Sequence, residues 1–190
     1  MVHNDITPGT TAYFDVIEPM LLLAMDIGLQ QSEDVRKIER SPSTVTTVLS
    51  DDITRAIVRL VPAARELAHA GGRSWVHFPD FAVLRVKCTD ASWIGRNRPT
   101  TSASAFVNPS LGLPGIESSV PRFDLAYQFR HQDGTITAAA IVWRNADTVL
   151  WERRLAWNGS ASTTTTTLEL DLIPPAVVRP KRRRDEQAQR

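Results

Sequence analysis

Three strand-like stretches set apart by turn residues, the first of them strictly alternating, constrain this chain more than anything else in it. In "RFDLAYQFRH" (122–131), Phe123, Leu125, Tyr127 and Phe129 fall on one side. "GTITAAAIVW" (134–143) follows a turn at Gln132-Asp133-Gly134, and "TVLWERRLAW" (148–157) follows one at Arg144-Asn145-Ala146-Asp147. A period of two marks strands with one buried face, and turns this short join antiparallel neighbours. The threonine-led stretch "TTTTTLELDLI" (163–173) is β-prone and follows Asn158-Gly159. A four-stranded antiparallel meander is therefore expected at the C-terminal end. Asn158-Gly159-Ser160 also fits a glycosylation acceptor, but it reads as a hairpin turn.

The N-terminal part has the other period. Phe14, Ile17, Leu21, Met25 and Gly28/Leu29 recur at helical spacing from Thr11 to about Gln31, with Pro19 expected at a break or in a first turn. Residues 32–50 read as a short helical piece followed by a loop or strand. "SDDITRAIVRLVPAARELAHAGG" is expected as a helix capped by Ser50 or Asp51. It would be kinked at Pro62 and stopped at Gly71-Gly72, with Ile53, Ile57, Leu60, Val61, Ala64 and Leu67 buried. Beyond Gly72 the alternation begins: Leu84, Val86 and Cys88 share one face, Arg85 and Lys87 the other.

The fold expected is α+β, with N-terminal helices packed on a mainly antiparallel C-terminal meander. Its parts are an extended lead-in (1–10), one domain (11–172) and a proline-punctuated basic tail (173–190). Within the domain the helical part spans 11–70 and the β part 73–172, with a long loop at 91–121. A chain of 190 residues with 42% hydrophobic and 23% charged residues has enough apolar surface for one such core.

Charge is distributed unevenly. Residues 1–178 carry 16 Lys/Arg against 19 Asp/Glu, whereas residues 179–190 carry six basic and two acidic groups. Six carboxylates and no Lys or Arg fall within residues 1–34. An acidic body argues against a domain that reads nucleic acid across its own face. The tail "IPPAVVRPKRRR" instead holds its cations away on an extended, proline-stiffened stem. Arg179, Lys181, Arg182, Arg183 and Arg184 are the candidate contacts to phosphates or to an acidic neighbour. A nuclear-targeting signal and a plain solubilising tail are competing uses of the same residues.

Signals for chemistry are sparse. His77 and Asp80 in "WVHFPDF" could form a general base and its orienter, although a histidine on a half-buried strand is ordinarily just a hydrogen-bonded side chain. Cys88 falls on the apolar alternation and reads as a small core residue. The four histidines are scattered, and no phosphate-binding glycine loop or nucleophile elbow occurs, so no catalytic residue, metal or cofactor is expected. Asp51-Asp52 reads as a helix start. Trp143, Trp151, Arg153, Arg154 and Trp157 are candidates for a subunit interface or an aromatic-lined cavity, with core filling as the simplest alternative.

These features favour a non-enzymatic structural or assembly protein that self-associates while its arm touches nucleic acid or an acidic neighbour. The layout is virion- or coat-like by analogy alone. The alternative is a small α+β enzyme or ligand-binding protein with a cavity between helices and sheet. Residues 13–29 include Asp15, Glu18, Pro19 and Asp26, so no membrane span is expected. A lone cysteine and no cationic leader point to an intracellular protein, one that could enter a large assembly.

Overall fold

The computed structural model describes residues 8–158, apart from 39–40, 69–73, 80, 96–100, 109–110, 112, 114–115 and 118. Helices α1 (Pro8–Gln31), α2 (Glu33–Ile38) and α3 (Pro42–Leu60) come first. Strands β1 (Arg65–Ala68), β2 (Ser74–Phe78) and β3 (Ala82–Cys88) follow, then a short helix α4 (Thr101–Val107). Strands β4 (Arg122–Arg130), β5 (Thr135–Asn145) and β6 (Thr148–Arg154) complete the described chain. They form one six-stranded sheet in sequence order, antiparallel throughout except for the parallel pair β3–β4. The architecture is α+β, with the N-terminal helices packed on a mainly antiparallel sheet.

Alternation along each strand sorts the side chains onto two faces. Leu84, Phe123, Leu125, Tyr127 and Ile141 meet the helices and are fully buried with Phe14, Leu21, Met25, Leu49, Ile53 and Ile57. The opposite face, carrying Val83, Arg85, Arg122, Asp124 and Val142, is also buried. It is covered by the connection between β3 and β4, which contributes Trp93, Phe106, Leu113 and Ile116. A parallel pair requires a long crossover, and here that crossover roofs the second face. Trp93 holds a left-handed φ of 60° in a turn where the Asp90 carboxylate accepts from the backbone N–H groups of Ser92 and Ile94.

Several boundaries differ from the sequence reading. Pro19 lies inside a continuous α1 rather than at a break. It faces solvent, where the carbonyl it frees can be hydrated. Helix α3 begins at Pro42, so Ser50, Asp51 and Asp52 sit mid-helix instead of at its start. The Ser50 hydroxyl hydrogen-bonds the Tyr127 hydroxyl at 2.9 Å, and Asp52 pairs with Arg55. The helix ends before Pro62 rather than kinking there, because the residue preceding a proline is pushed out of helical geometry. The expected continuation over residues 65–68 is strand β1. The loop 91–121 contains α4, and the stretch 74–88 is a hairpin of two strands. Of the expected extended lead-in 1–10, Pro8–Thr10 instead open α1, while residues 1–7, the stop at Gly71-Gly72, the strand expected at 163–173 and the tail 173–190 lie outside the described residues.

Candidate functional site

The expected interface or cavity residues separate into two groups. Trp143 and Trp151 are cross-strand partners on the helical face of β5 and β6. Trp151 stacks on Phe14 of α1, with ring centroids 6.4 Å apart, and meets Phe123 edge-on. The Trp157 indole N–H donates to the Ile136 carbonyl at 2.8 Å. Arg153 reaches α1, where it pairs with Asp15 and with Glu18, the latter at 2.5 Å. Trp151 and Arg153 fasten α1 to the β6 side of the sheet, while Trp143 and Trp157 join β5 to β6 and the segment after it. Arg154 points away, is mostly exposed and pairs with Glu152 at 3.3 Å.

His77 is half-buried on β2 and lines an open cleft of about 450 Å³ with Pro79, Phe81, Glu117 and Ser119. Asp80, its expected partner, lies outside the described residues, as do Arg179, Lys181, Arg182, Arg183 and Arg184. Cys88 is half-buried at the end of β3 and packs against the main core. Burial raises its thiol pKa, although nearby backbone N–H groups and Lys87 pull the other way, which leaves it a protonated thiol at neutral pH. Among the described residues, no group of three His, Cys, Asp or Glu could hold a metal ion. No described helix is long and apolar enough to cross a membrane.

Two constellations escaped the sequence reading. The first is buried on the second face of the sheet. Asp124 of β4 accepts from Arg85 of β3 through Nε at 2.7 Å and Nη2 at 3.1 Å. It also accepts from Arg144 of β5 through Nε at 3.0 Å and Nη2 at 2.5 Å. Burial by itself would raise the Asp124 pKa, but the two guanidiniums outweigh it and hold the carboxyl below the usual range. The Arg85 guanidinium also lies 4.2 Å from the centre of the Phe106 ring. Arg122, two residues before Asp124, donates through Nη1 to the carbonyls of Ala105 and Asn108, at 2.7 and 3.1 Å. Burial lowers its pKa. This network ties three strands and the crossover together, and its groups face inward.

The second constellation is on the surface of α1. The core side of the helix is Phe14, Ile17, Leu21, Ala24, Met25 and Gly28. On the flank beside it, Val16, Met20, Leu23 and Ile27 follow a 4-3-4 spacing that forms one apolar stripe along the helix. Met20 and Ile27 pack partly against the core, while the exposed Asp15, Pro19 and Gln30 lie on the side farthest from the core. Val16 is 68% exposed and Leu23 39%, while Met20 and Ile27 are half-buried. Asp15 and Asp26 flank this stripe on one side, as the helical repeat places them. At the C-terminal end of α1 the flank opens into a polar cleft of about 720 Å³, whose walls include Asp26, Glu33, Arg36, Lys37 and Asp133. Arg36 closes the base of this cleft by donating to the Leu29 carbonyl at 2.6 Å and to the carbonyl of Gly134, a residue at φ +68°. The helical repeat alone places Val16, Met20, Leu23 and Ile27 on one stripe, but it does not say which of them the core leaves exposed.

Comparison with known protein families, with curated proteins and with solved structures finds no match to this chain.

Proposed function

We propose that this chain is a non-enzymatic structural or assembly protein that self-associates, with its basic C-terminal arm contacting nucleic acid or an acidic neighbouring surface. The observation that carries this reading is the outer stripe of α1. The core side of α1 is already filled, so a second apolar stripe that leaves Val16 and Leu23 exposed is surface available to a partner. Contiguous exposed apolar side chains with a polar border are the usual mark of a protein contact. The stripe is displayed on a firm support, because Phe14, Trp151 and the Arg153 ion pairs hold α1 to the sheet. The arm adds a second kind of contact, since cations on an extended stem engage phosphates without sequence preference.

Light scattering coupled to size exclusion tests the self-association. The full chain is expected to run as an oligomer that dissociates on dilution. A species that remains monomeric at every concentration up to the millimolar range would overturn the reading.

A further inference from the structure

Something must cover the outer stripe of α1 in an assembled form, and charge narrows the choice of occupant. A second α1 would bring apolar side chains but also the same carboxylates, with no cation, because residues 1–34 contain no Lys or Arg. Like charges would then meet along the seam, and such pairs oppose association. Asp26 and Asp34 have no ion pair among the described residues, and Arg153 is shared between Asp15 and Glu18. The stripe therefore suits an occupant that is apolar along one stretch and cationic along the next.

The chain contains such a segment. Residues 173–178 are Ile-Pro-Pro-Ala-Val-Val, and residues 179–184 follow with five cations and a proline. The dimensions agree. From Val16 to Ile27 the helix rises about 17 Å, and six residues in the proline-type extended conformation span about 19 Å. Aligned with its apolar part on Val16, Met20, Leu23 and Ile27, the segment delivers its cations at the C-terminal end of α1. The carboxylates of Asp26 and Asp34 lie there, beside Glu33, which Lys37 already pairs at 2.8 Å, and Arg36, which is engaged by the Leu29 and Gly134 carbonyls.

We infer that the outer face of α1 is the docking surface for residues 173–184 of a second copy of this chain, so that assembly proceeds by exchange of C-terminal arms. The inference rests on the self-association proposed above. The connection permits it: fourteen residues separate the end of the described chain at Asn158 from Ile173. That length reaches up to about 50 Å when extended, enough to pass between neighbouring copies. A proline-stiffened segment also loses little conformational freedom on docking.

Two variants test it in combination. One is the chain truncated after Leu172, which keeps the α1 face and lacks the arm. The other is Leu23→Glu, which keeps the arm and spoils the face; Val16→Lys, at a still more exposed position, serves if that variant misfolds by circular dichroism. Each alone is expected to be monomeric. Their equimolar mixture is expected to form a 1:1 complex, weaker than the parent because it has one docked arm. Raising salt from 0.05 to 0.5 M should weaken the parent oligomer roughly tenfold or more, as screening removes the ion pairs. An oligomer that survives truncation unchanged overturns arm exchange while leaving self-association intact. A mixture that stays monomeric, or an arm that docks only on its own chain, also overturns it. A full chain that is monomeric throughout overturns the parent reading as well.

Discussion

Asp124 is the side chain on which most of the second face depends. Its carboxylate is only 2% exposed and accepts from the Arg85 and Arg144 guanidiniums on either side. A buried carboxylate is costly by itself, and two buried cations without it would cost more. Asp124→Asn keeps the shape and removes the charge. It is expected to lower unfolding stability by about 3–5 kcal/mol, read from urea denaturation at pH 7. The pH dependence follows from the direction of the shift. The folded pKa lies below the unfolded value of about 3.9, so the stabilisation is present above that value. It is lost as the pH falls through the folded pKa. The parent protein should therefore lose stability steeply below about pH 4, and the Asn variant should lack that part of the slope. A variant as stable as the parent would show that the network contributes little.

At the scale of elements, the close crossing of α1 and α3 is set by Gly28. A Cβ added there would lie 2.5 Å from Ile53 Cγ1 and 2.9 Å from the Ile53 backbone nitrogen. Replacing a helical glycine by alanine ordinarily stabilises a helix by about 1 kcal/mol. Here the backbone of α3 must move instead, so Gly28→Ala is expected to destabilise by about 1–3 kcal/mol in thermal or urea unfolding. The helical period of Phe14, Ile17, Leu21 and Met25 was plain in the sequence, and so were β4, β5, β6 and the turns between them. The errors have local causes. Pro19 was read as a break because its exposure was unknown, and exposure is what makes a helical proline tolerable. Pro62 was placed inside a helix because Val61, Ala64 and Leu67 continue the apolar spacing by coincidence, into a strand. Alternation put Arg85 and Lys87 on the face opposite Leu84 and Val86, but it says which residues share a face and not what covers it. The parallel β3–β4 pair, and hence the covering crossover, is a long-range pairing that no local pattern encodes.

For the whole molecule, the acidic body and basic arm were legible from composition, whereas the exposed stripe of α1 proposed to receive the arm was not. Val16, Met20, Leu23 and Ile27 share a stripe by spacing, but only the packing of the adjacent core side leaves Val16 and Leu23 exposed. Trp143, Trp151 and Trp157 drew attention by residue type and instead anchor α1 and the strands of the sheet. The proposed contact of the arm with nucleic acid makes a separate prediction. Residues 179–184 hold five cations. If all of them neutralise phosphates, the logarithm of the binding constant falls with the logarithm of salt at a slope of about −4 to −5 on duplex DNA. Fluorescence anisotropy with labelled duplexes of unrelated sequence should give equal affinities and that slope. Replacing Lys181, Arg182, Arg183 and Arg184 by Gln should reduce the slope to about −1. Docking on α1 and binding phosphate use the same cations, so the two contacts compete. Added duplex should dissociate an arm-exchanged oligomer at low salt, and the Gln variant should be indifferent to it. An oligomer that binds duplex without loss of mass would assign the two contacts to different residues and separate assembly from nucleic-acid binding.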